Sequence, residues 1–374
     1  MKEKTMNIKR HNAKQALLTS VLAMVVSLIL GAILLALCGY SPIESYVAIF
    51  GSSLGTVKGI ALSLSQATPL LFTGMAFAIA YRVRMINTGA EGQLHVGAMA
   101  AALVGAYVTG LPSIVHVPLC LLAAALAGGL IAGLVAFLKN HFGANEIILT
   151  LMLNEILILF TSYLANGPLK AEGSGVGQTN RIQESAQLYR LIPQTQLTIA
   201  LLIGIVLAII LQFVLNRTAY GYEIQITGYN LRAARTAGIN AKRTYLMTFA
   251  ISGAVAGLGG AAMALGVNYR FVEGFSASYG FGGISVAALA AYSPVGVIPA
   301  SILIGVLKAG AITVNRTTDI PVEFVSVIQV LVIIFVAAPT LIRSLIALPK
   351  KWLGRDKAKA LPQTSDAKKE GLSK

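Results

Sequence analysis

The chain has 374 residues, 56% of them apolar and only 11% charged, with 29 Lys and Arg against 14 Asp and Glu and a formal net charge of +15. Mean hydropathy is +0.75. Soluble domains carry roughly 25% charged residues, so this chain has too little polar surface to cover an aqueous core, and lipid must be the solvent for much of it.

A helix needs about 20 apolar residues to cross a hydrocarbon core ~30 Å thick. In chain order, such runs give ten candidate spans, at 16–38, 60–80, 94–109, 114–138, 146–164, 198–215, 245–267, 278–292, 295–312 and 322–342. An all-α, polytopic membrane protein is expected. The third and eighth runs are short and rich in Gly and Ala, which makes each a candidate for a broken or re-entrant helix. Residues 1–15 form a basic tail, 16–345 the transmembrane domain, and 346–374 a Lys-, Asp- and Ser-rich tail of disordered composition. The first run follows basic residues as a signal peptide would, but it is too long and lacks a small-residue cleavage site, so a retained helix is expected.

A basic chain invites a nucleic-acid reading, and the position of the charges rejects it. Alternating loops from a cytoplasmic N-terminus puts 22 of the 29 Lys and Arg inside, in both tails, at Arg82, Arg84 and Lys139, and in the loop 217–243. This is the positive-inside pattern of a multi-pass cell-membrane protein with both termini cytoplasmic. The tails are topology signals and candidate anchors for anionic lipid. The segment 166–196, with Gly, Pro, Ser and charges, is expected to be a loop outside.

The two halves look related. The end of span two, Gly74-Met-Ala-Phe-Ala-Ile-Ala, leads through a polar Gly-rich loop into a short Ala-rich helix, and span seven, from Gly253, does the same. Gly133 corresponds to Gly305, and Glu146 to Glu323. Five spans separate the copies, so spans 2–5 and 7–10 would run in opposite directions as an inverted repeat. The alternative is that Gly/Ala-rich membrane helices look alike because small residues let them pack closely.

Candidate chemistry concentrates in few places. Asn87-Thr-Gly-Ala-Glu-Gly-Gln93 puts Asn87, Gly89, Glu91, Gly92 and Gln93 where an apolar helix should begin. Non-helical backbone at membrane depth is tolerated only against protein or a water-filled cavity, and an intramembrane carboxylate points to a transport route. The plainer role for Glu91 is a helix cap. The matching place in the second half, Gly280-Phe-Gly-Gly-Ile-Ser285, makes Phe281, Gly282 and Ser285 candidates, with Phe281 able to stack on a flat ligand or to serve as core. Glu146 is expected to cap its helix or to pair with Lys139, and Asn154 and Glu155 to face helices or the route. In the loop 217–243, Asn230–Ala237 reads as a short helix capped by Asn230 and ended by Gly238. It carries Arg232 and Arg235 among small residues and suits either docking of a cytoplasmic partner or a solvated loop.

Cys38 and Cys120 both fall within spans, and the four His are scattered, so neither a disulfide framework nor a metal site is expected. No Gly-x-x-x-x-Gly-Lys-Ser/Thr loop for ATP, Gly-x-Ser-x-Gly elbow or His-Glu-x-x-His motif occurs. The chain is therefore read as a transporter and not as an enzyme, with no cofactor of its own.

Four ordered motifs carry a resemblance. Asn87-Thr-Gly-Ala-Glu-Gly-Gln, Asn145-Glu-Ile-Ile-Leu-Thr-Leu-Met-Leu-Asn, Gly228-Tyr-Asn-Leu-Arg-Ala-Ala-Arg-Thr-Ala-Gly-Ile-Asn and Gly280-Phe-Gly-Gly-Ile-Ser-Val-Ala-Ala-Leu resemble ABC-importer permeases of the ribose and branched-chain amino acid type, most of all the nucleoside permeases. The departures are Thr88 for the usual Ile, Gln225 where Arg is common, and Gly282-Gly283 where Asp-Gly is usual. The resemblance implies a second permease subunit, cytoplasmic ATPase subunits that use ATP, and an extracytoplasmic substrate-binding lipoprotein. It also implies that Gly228, Asn230, Arg232, Ala233, Ala234, Arg235, Gly238 and Asn240 form the coupling helix seated on the ATPase. The rival expectation is an ion-coupled secondary transporter using Glu91.

Overall fold

The computed structural model describes residues 26, 29–33, 35–37, 39–317, 327 and 330; the first expected span lies largely outside them, and the tenth, with both tails, wholly or almost wholly so. Its helices are α1 (Pro42–Leu54), α2 (Val57–Arg82), α3 (Ala90–Tyr107), α4 (Ser113–Phe142), α5 (Glu146–Asn166), α6 (Ala200–Arg217), α7 (Ala219–Tyr229), α8 (Leu231–Thr236), α9 (Ala241–Met263), α10 (Tyr279–Leu289) and α11 (Pro294–Thr317). A π-helical turn, Ala264–Asn268, extends α9.

Six of these are long and apolar enough to cross a membrane: α2, α4, α5, α6, α9 with its π turn, and α11. They coincide with expected spans two, four, five, six, seven and nine. The third span is α3, and the eighth is α10, an apolar helix of 11 residues. At 1.5 Å per residue, α10 extends only about 16 Å, half of a hydrocarbon core. Helix α1 was not anticipated, although Ser41 at its N-cap and Pro42 in its first turn are start signals.

The helices begin and end where local chemistry requires it. Asn145, rather than Glu146, caps α5, its Oδ1 accepting from Ile147 N–H. Glu146 instead pairs with Lys139 at 2.7 Å, closing the α4–α5 turn, where Gly143 takes a left-handed φ of 68°.

The buried centre is built from α2, α3 and α9, with Leu70, Leu71, Phe72, Met75, Leu94 and Phe249 almost fully enclosed. Helices α4 and α9 meet at a seam of small residues. A Cβ placed on Gly253 would lie 2.3 Å from the Gly128 carbonyl oxygen, and one on Gly257 2.3 Å from that of Ala124. Lipid supplies no hydrophobic drive between helices, so close backbone packing holds such a seam together. By contrast α4, α5 and α6 are mostly uncovered: in their most apolar stretches only 28%, 22% and 28% of residues are buried.

One end of the bundle gathers Arg82, Lys139, Arg217 and Arg243. At the other, the chain between α5 and α6 lies as a strap over the residues that follow α9. Thr179 N–H donates to the Phe271 carbonyl at 3.0 Å, Ile182 N–H to Tyr269 at 2.9 Å, and Glu273 N–H to Gly177 at 2.8 Å. The expected outer loop is thus tied down by backbone pairing.

Candidate substrate cleft and coupling loop

Helix α2 runs to the basic end, and residues 83–89 then fold back so that α3 begins level with Asn154, at mid-length in α5. The return is fixed by amides. The Asn87 Nδ2 group donates to Gln93 Oε1 at 2.9 Å and to Ser252 Oγ at 2.8 Å, while Gln93 Nε2 donates to Asn87 Oδ1 at 3.0 Å. Ser252 Oγ in turn donates to the Ala76 carbonyl at 2.6 Å. Asn154, at mid-length in α5, accepts from Gly92 N–H at 2.8 Å and donates to the Thr88 carbonyl at 2.7 Å. A broken helix in lipid must have its freed backbone groups satisfied internally, and these side chains do that for Gly89 N–H, Gly92 N–H and the Thr88 carbonyl. Asn87 and Gln93 are 0% and 1% exposed, so their mutual bonds lock the break from within. The Thr88 hydroxyl shares a hydrogen bond of 2.5 Å with Thr150.

Glu91 has a different neighbourhood. Its Oε2 accepts from Gly280 N–H at 2.5 Å, joining the first turn of α3 to the first turn of α10. A Cβ on Gly280 would sit 2.3 Å from Glu91 N, so only glycine allows this approach. Two helix N-termini therefore meet inside the bundle, each with a partial positive charge, and one carboxylate stands between them. The same turn of α10 is held from two further helices. Thr73 Oγ1 of α2 donates to the Tyr279 carbonyl at 2.8 Å, and the Tyr279 hydroxyl donates to Gln66 Oε1 at 2.5 Å. From α11, Lys308 Nζ donates to the Ala277 carbonyl at 2.8 Å and lies 4.8 Å from the Tyr279 ring centre.

Beside this junction opens a cleft of about 390 Å³, lined among others by Glu91, His95, Ser162, Phe271, Glu273 and Phe281. Phe281 is 40% exposed. The cleft combines aromatic faces, hydroxyls, an imidazole and carboxylates. At its rim Glu273 accepts from Asn166 Nδ2 at 2.7 Å and from the Ser162 hydroxyl. The Asn166 amide, and then the Ser162 hydroxyl, hold the Glu273 carboxyl below its usual range. Of the residues singled out in the sequence, Glu91 and Phe281 border the cleft. Gly282 packs toward Leu70, and Ser285 is half-buried on α10. Ser162 and Glu273 went unnoticed because each is isolated in sequence and arrives from a different element, whereas His95, one turn after Glu91 on α3, could have been found from its i, i+4 spacing.

The coupling-loop candidates are gathered at the basic end. Asn230 Oδ1 accepts from Arg232 N–H at 3.0 Å and Ala233 N–H at 3.2 Å, starting α8. Gly238, with φ 75°, ends it, and Asn240 caps α9. Ala234 is buried, whereas Arg232, Ala233 and Arg235 are exposed. Gly228 brings α7 against the end of α2, where a Cβ would be 1.9 Å from the Arg82 carbonyl oxygen. From there Arg82 Nη2 donates to the Tyr292 carbonyl at 2.9 Å, and the Tyr81 and Tyr292 rings stack 3.9 Å apart. The loop thus touches, through one helix end, the turn between α10 and α11. Gln225 Nε2 donates to the Leu215 carbonyl at 2.5 Å.

The family described as branched-chain amino acid transport system / permease component matches residues 59–337. The chain belongs to this permease family. It is accordingly a multi-pass membrane transport subunit rather than an enzyme. Among its relatives, the Guanosine ABC transporter permease protein NupP of Bacillus subtilis is 34% identical, covering 90% of this chain and 97% of that protein. The Nucleoside ABC transporter permease protein NupB of Lactococcus lactis is 31% identical, covering 96% and 99%. The Glucose ABC transporter permease protein TsgB13 of Haloferax volcanii is 33% identical, covering 85% and 86%.

Proposed function

We propose that this permease conducts a nucleoside, or a related small polar solute such as a sugar, into the cell, powered by separate ATPase subunits. An extracytoplasmic binding lipoprotein delivers the solute, and a second permease completes the route. The observation that carries the substrate reading is the cleft at the α3–α10 junction. A nucleoside is neutral, flat at one end and hydroxylated at the other. Phe281 offers a face for a base, with the buried Phe271 behind the cleft wall, and Ser162, His95 and Glu91 offer hydrogen-bonding groups for its polar atoms. The names of the relatives point the same way.

The basic end faces the cytoplasm and the strap faces outside, a reading that the distribution of Lys and Arg supports. Ten spans, the first and tenth lying largely outside the described residues, complete the bundle. The halves form an inverted repeat, which the packing supports by exchange: α9 lies on α3 and α4 as α2 lies on α10 and α11. Half-helices whose N-termini meet at mid-depth are a recurring way to build a transport site from such repeats.

Helix α8 presents Arg232, Ala233 and Arg235 to the ATPase. Its movement reaches the route through Gly228, Arg82 and Tyr292. The test is uptake by the reconstituted complex with nucleosides and sugars in competition. Competition by nucleosides but not by simple sugars, weakened by Phe281→Ala, is expected. An unchanged competition profile in that variant contradicts the assignment of the cleft.

A further inference from the structure

At the basic end a smaller cavity, of about 120 Å³, opens where the end of α2, the end of α7 and the turn between α10 and α11 meet. Its lining includes Arg82, Arg84, Gln225, Tyr229 and Tyr292, but no Asp or Glu. Glu223 of α7 lines a different cavity, together with Arg243. Among the described residues neither Arg82 nor Arg84 has a carboxylate within ion-pair distance. The Arg82 guanidinium spends Nη2 on the Tyr292 carbonyl at 2.9 Å, while its Nε is enclosed and has no hydrogen-bond partner. Arg84 is exposed, with its guanidinium carbon 5.8 Å from the centre of the Tyr81 ring. A topology signal needs only charge in a loop. It needs neither a cavity nor an enclosed donor left unpaired, which is costly for a charged group. The backbone is unusual at the same place. Arg84, Ala291 and Tyr292 all line the cavity, and all hold a left-handed φ, of 58°, 48° and 58°. Residues other than glycine seldom adopt that conformation, and it gathers at ligand clamps and switches, where the surroundings enforce it.

We infer that this cavity is a phosphate site at the basic end of the permease, taking the phosphate group of a small soluble ester or of an anionic lipid headgroup. Two guanidiniums with no acid beside them call for an anion, and a phosphate monoester carries a charge of about −1.5 to −2 at pH 7. The planar guanidinium fork matches two phosphate oxygens at once, so an anion in the cavity gives Arg82 the acceptor it lacks. Size limits what enters. Sites that enclose a whole small molecule run to about 300–1,000 Å³, so this one admits the phosphate group and leaves the rest of the ligand outside. The solute cleft, by contrast, holds Glu91 and Glu273, which repel an anion, so the two sites take different ligands. Gly228, Arg82 and Tyr292 are also the contacts that join α7, α2 and the α10–α11 turn. A phosphate bound among them ties the three elements together.

The test uses the full chain purified in dodecyl maltoside, a detergent without phosphate, so that no ATPase contributes a phosphate site. Equilibrium dialysis with radiolabelled inorganic phosphate at constant ionic strength counts bound phosphate, and native mass spectrometry counts phosphatidylglycerol or phosphatidate retained from the membrane. One phosphate group per chain is expected. Binding in dialysis identifies soluble phosphate as the source, and retained anionic lipid without it identifies the headgroup. Arg84→Asn removes the exposed charge while Asn tolerates the left-handed φ. This variant should reach normal membrane levels and bind about fivefold more weakly or worse. Arg82→Lys keeps the charge but loses the fork, and should bind about tenfold more weakly; if it fails to fold, Arg84→Asn decides alone. Arg217→Gln, at the same end but outside the cavity, should change nothing. An equal loss in Arg217→Gln reveals a general attraction to the basic end and overturns the site. So does unaltered binding by Arg84→Asn, or the absence of both phosphate and anionic lipid from the unmodified chain. None of these readouts requires transport, so failure of this site and failure of the importer reading are told apart.

Discussion

Replacing Glu91 tests what the α3–α10 junction does. The carboxylate is 4% exposed and accepts from Gly280 N–H at 2.5 Å, between two helix N-termini. A hydrogen bond to a charged group contributes about 1.5–3 kcal/mol, against about 1 kcal/mol for a neutral pair. Glu91→Gln retains an amide oxygen where Oε2 stands and loses only the charge, so about 1–2 kcal/mol is at stake. Spent wholly on transport, that is a loss of roughly five- to thirtyfold; shared with stability, it is less. Glu91→Leu leaves Gly280 N–H facing an apolar side chain and forfeits the link between the halves, which costs a further ~1–3 kcal/mol. Uptake of radiolabelled nucleoside by cells carrying each variant, normalised to membrane level, should show a mildly impaired Gln variant and a severely defective Leu variant. Near-normal uptake by Glu91→Leu refutes the reasoning outright. Complete loss in Glu91→Gln at normal membrane level means that Glu91 must ionise, as an ion-coupled carrier would require.

Three further outcomes follow from the same geometry. Gly238→Trp, or Arg232→Glu with Arg235→Glu, should leave the complex in the membrane with ATP hydrolysis continuing but uptake lost; full uptake by Gly238→Trp would show that α8 is merely solvated. A cysteine at Gln178, on the strap, should react with an impermeant thiol reagent in intact cells, and protection there would invert the proposed topology. Gly257→Leu drives a side chain into the Ala124 carbonyl, which a Cβ would already approach to 2.3 Å. Overpacking costs about 1–3 kcal/mol or more, so folded membrane levels should fall, while Gly143→Ala, beside open space and strained only by its left-handed φ, should be far milder.

Most of the fold was legible because lipid imposes a rule that composition and run length reveal directly. The six long apolar helices stand where their runs predicted them. The short eighth run was recognisably odd, since Gly280 to Gly283 cannot sustain a full crossing, and α10 is indeed only 11 residues long. The first helix after the opening span was missed because α1 mixes Glu, Ser and Tyr with its apolar residues, so no hydropathy signal marks it.

The candidate site was legible only as a neighbourhood. The sequence pointed to Asn87–Gln93, but not to the division of labour within it. Asn87 and Gln93 bond each other across one turn, whereas Glu91 faces a glycine 189 positions away. Lys308, Gln66 and Thr73 converge on the start of α10 from two other helices, and no local period or spacing encodes that meeting. Glu155 shows the same limit. Its neighbour Asn154 is buried and Glu155 exposed, a difference of 100° in helical phase that an apolar run does not resolve.

The central claim is that this permease moves its solute only when a separate motor hydrolyses ATP. It is tested most directly by uptake into proteoliposomes, with and without the ATPase subunits, under ATP or under an imposed proton or sodium gradient. Nucleoside should accumulate only with the second permease, the binding protein, the ATPase and ATP all present, and a gradient alone should drive none. Accumulation by the isolated chain under an ion gradient, without ATP, would contradict the account.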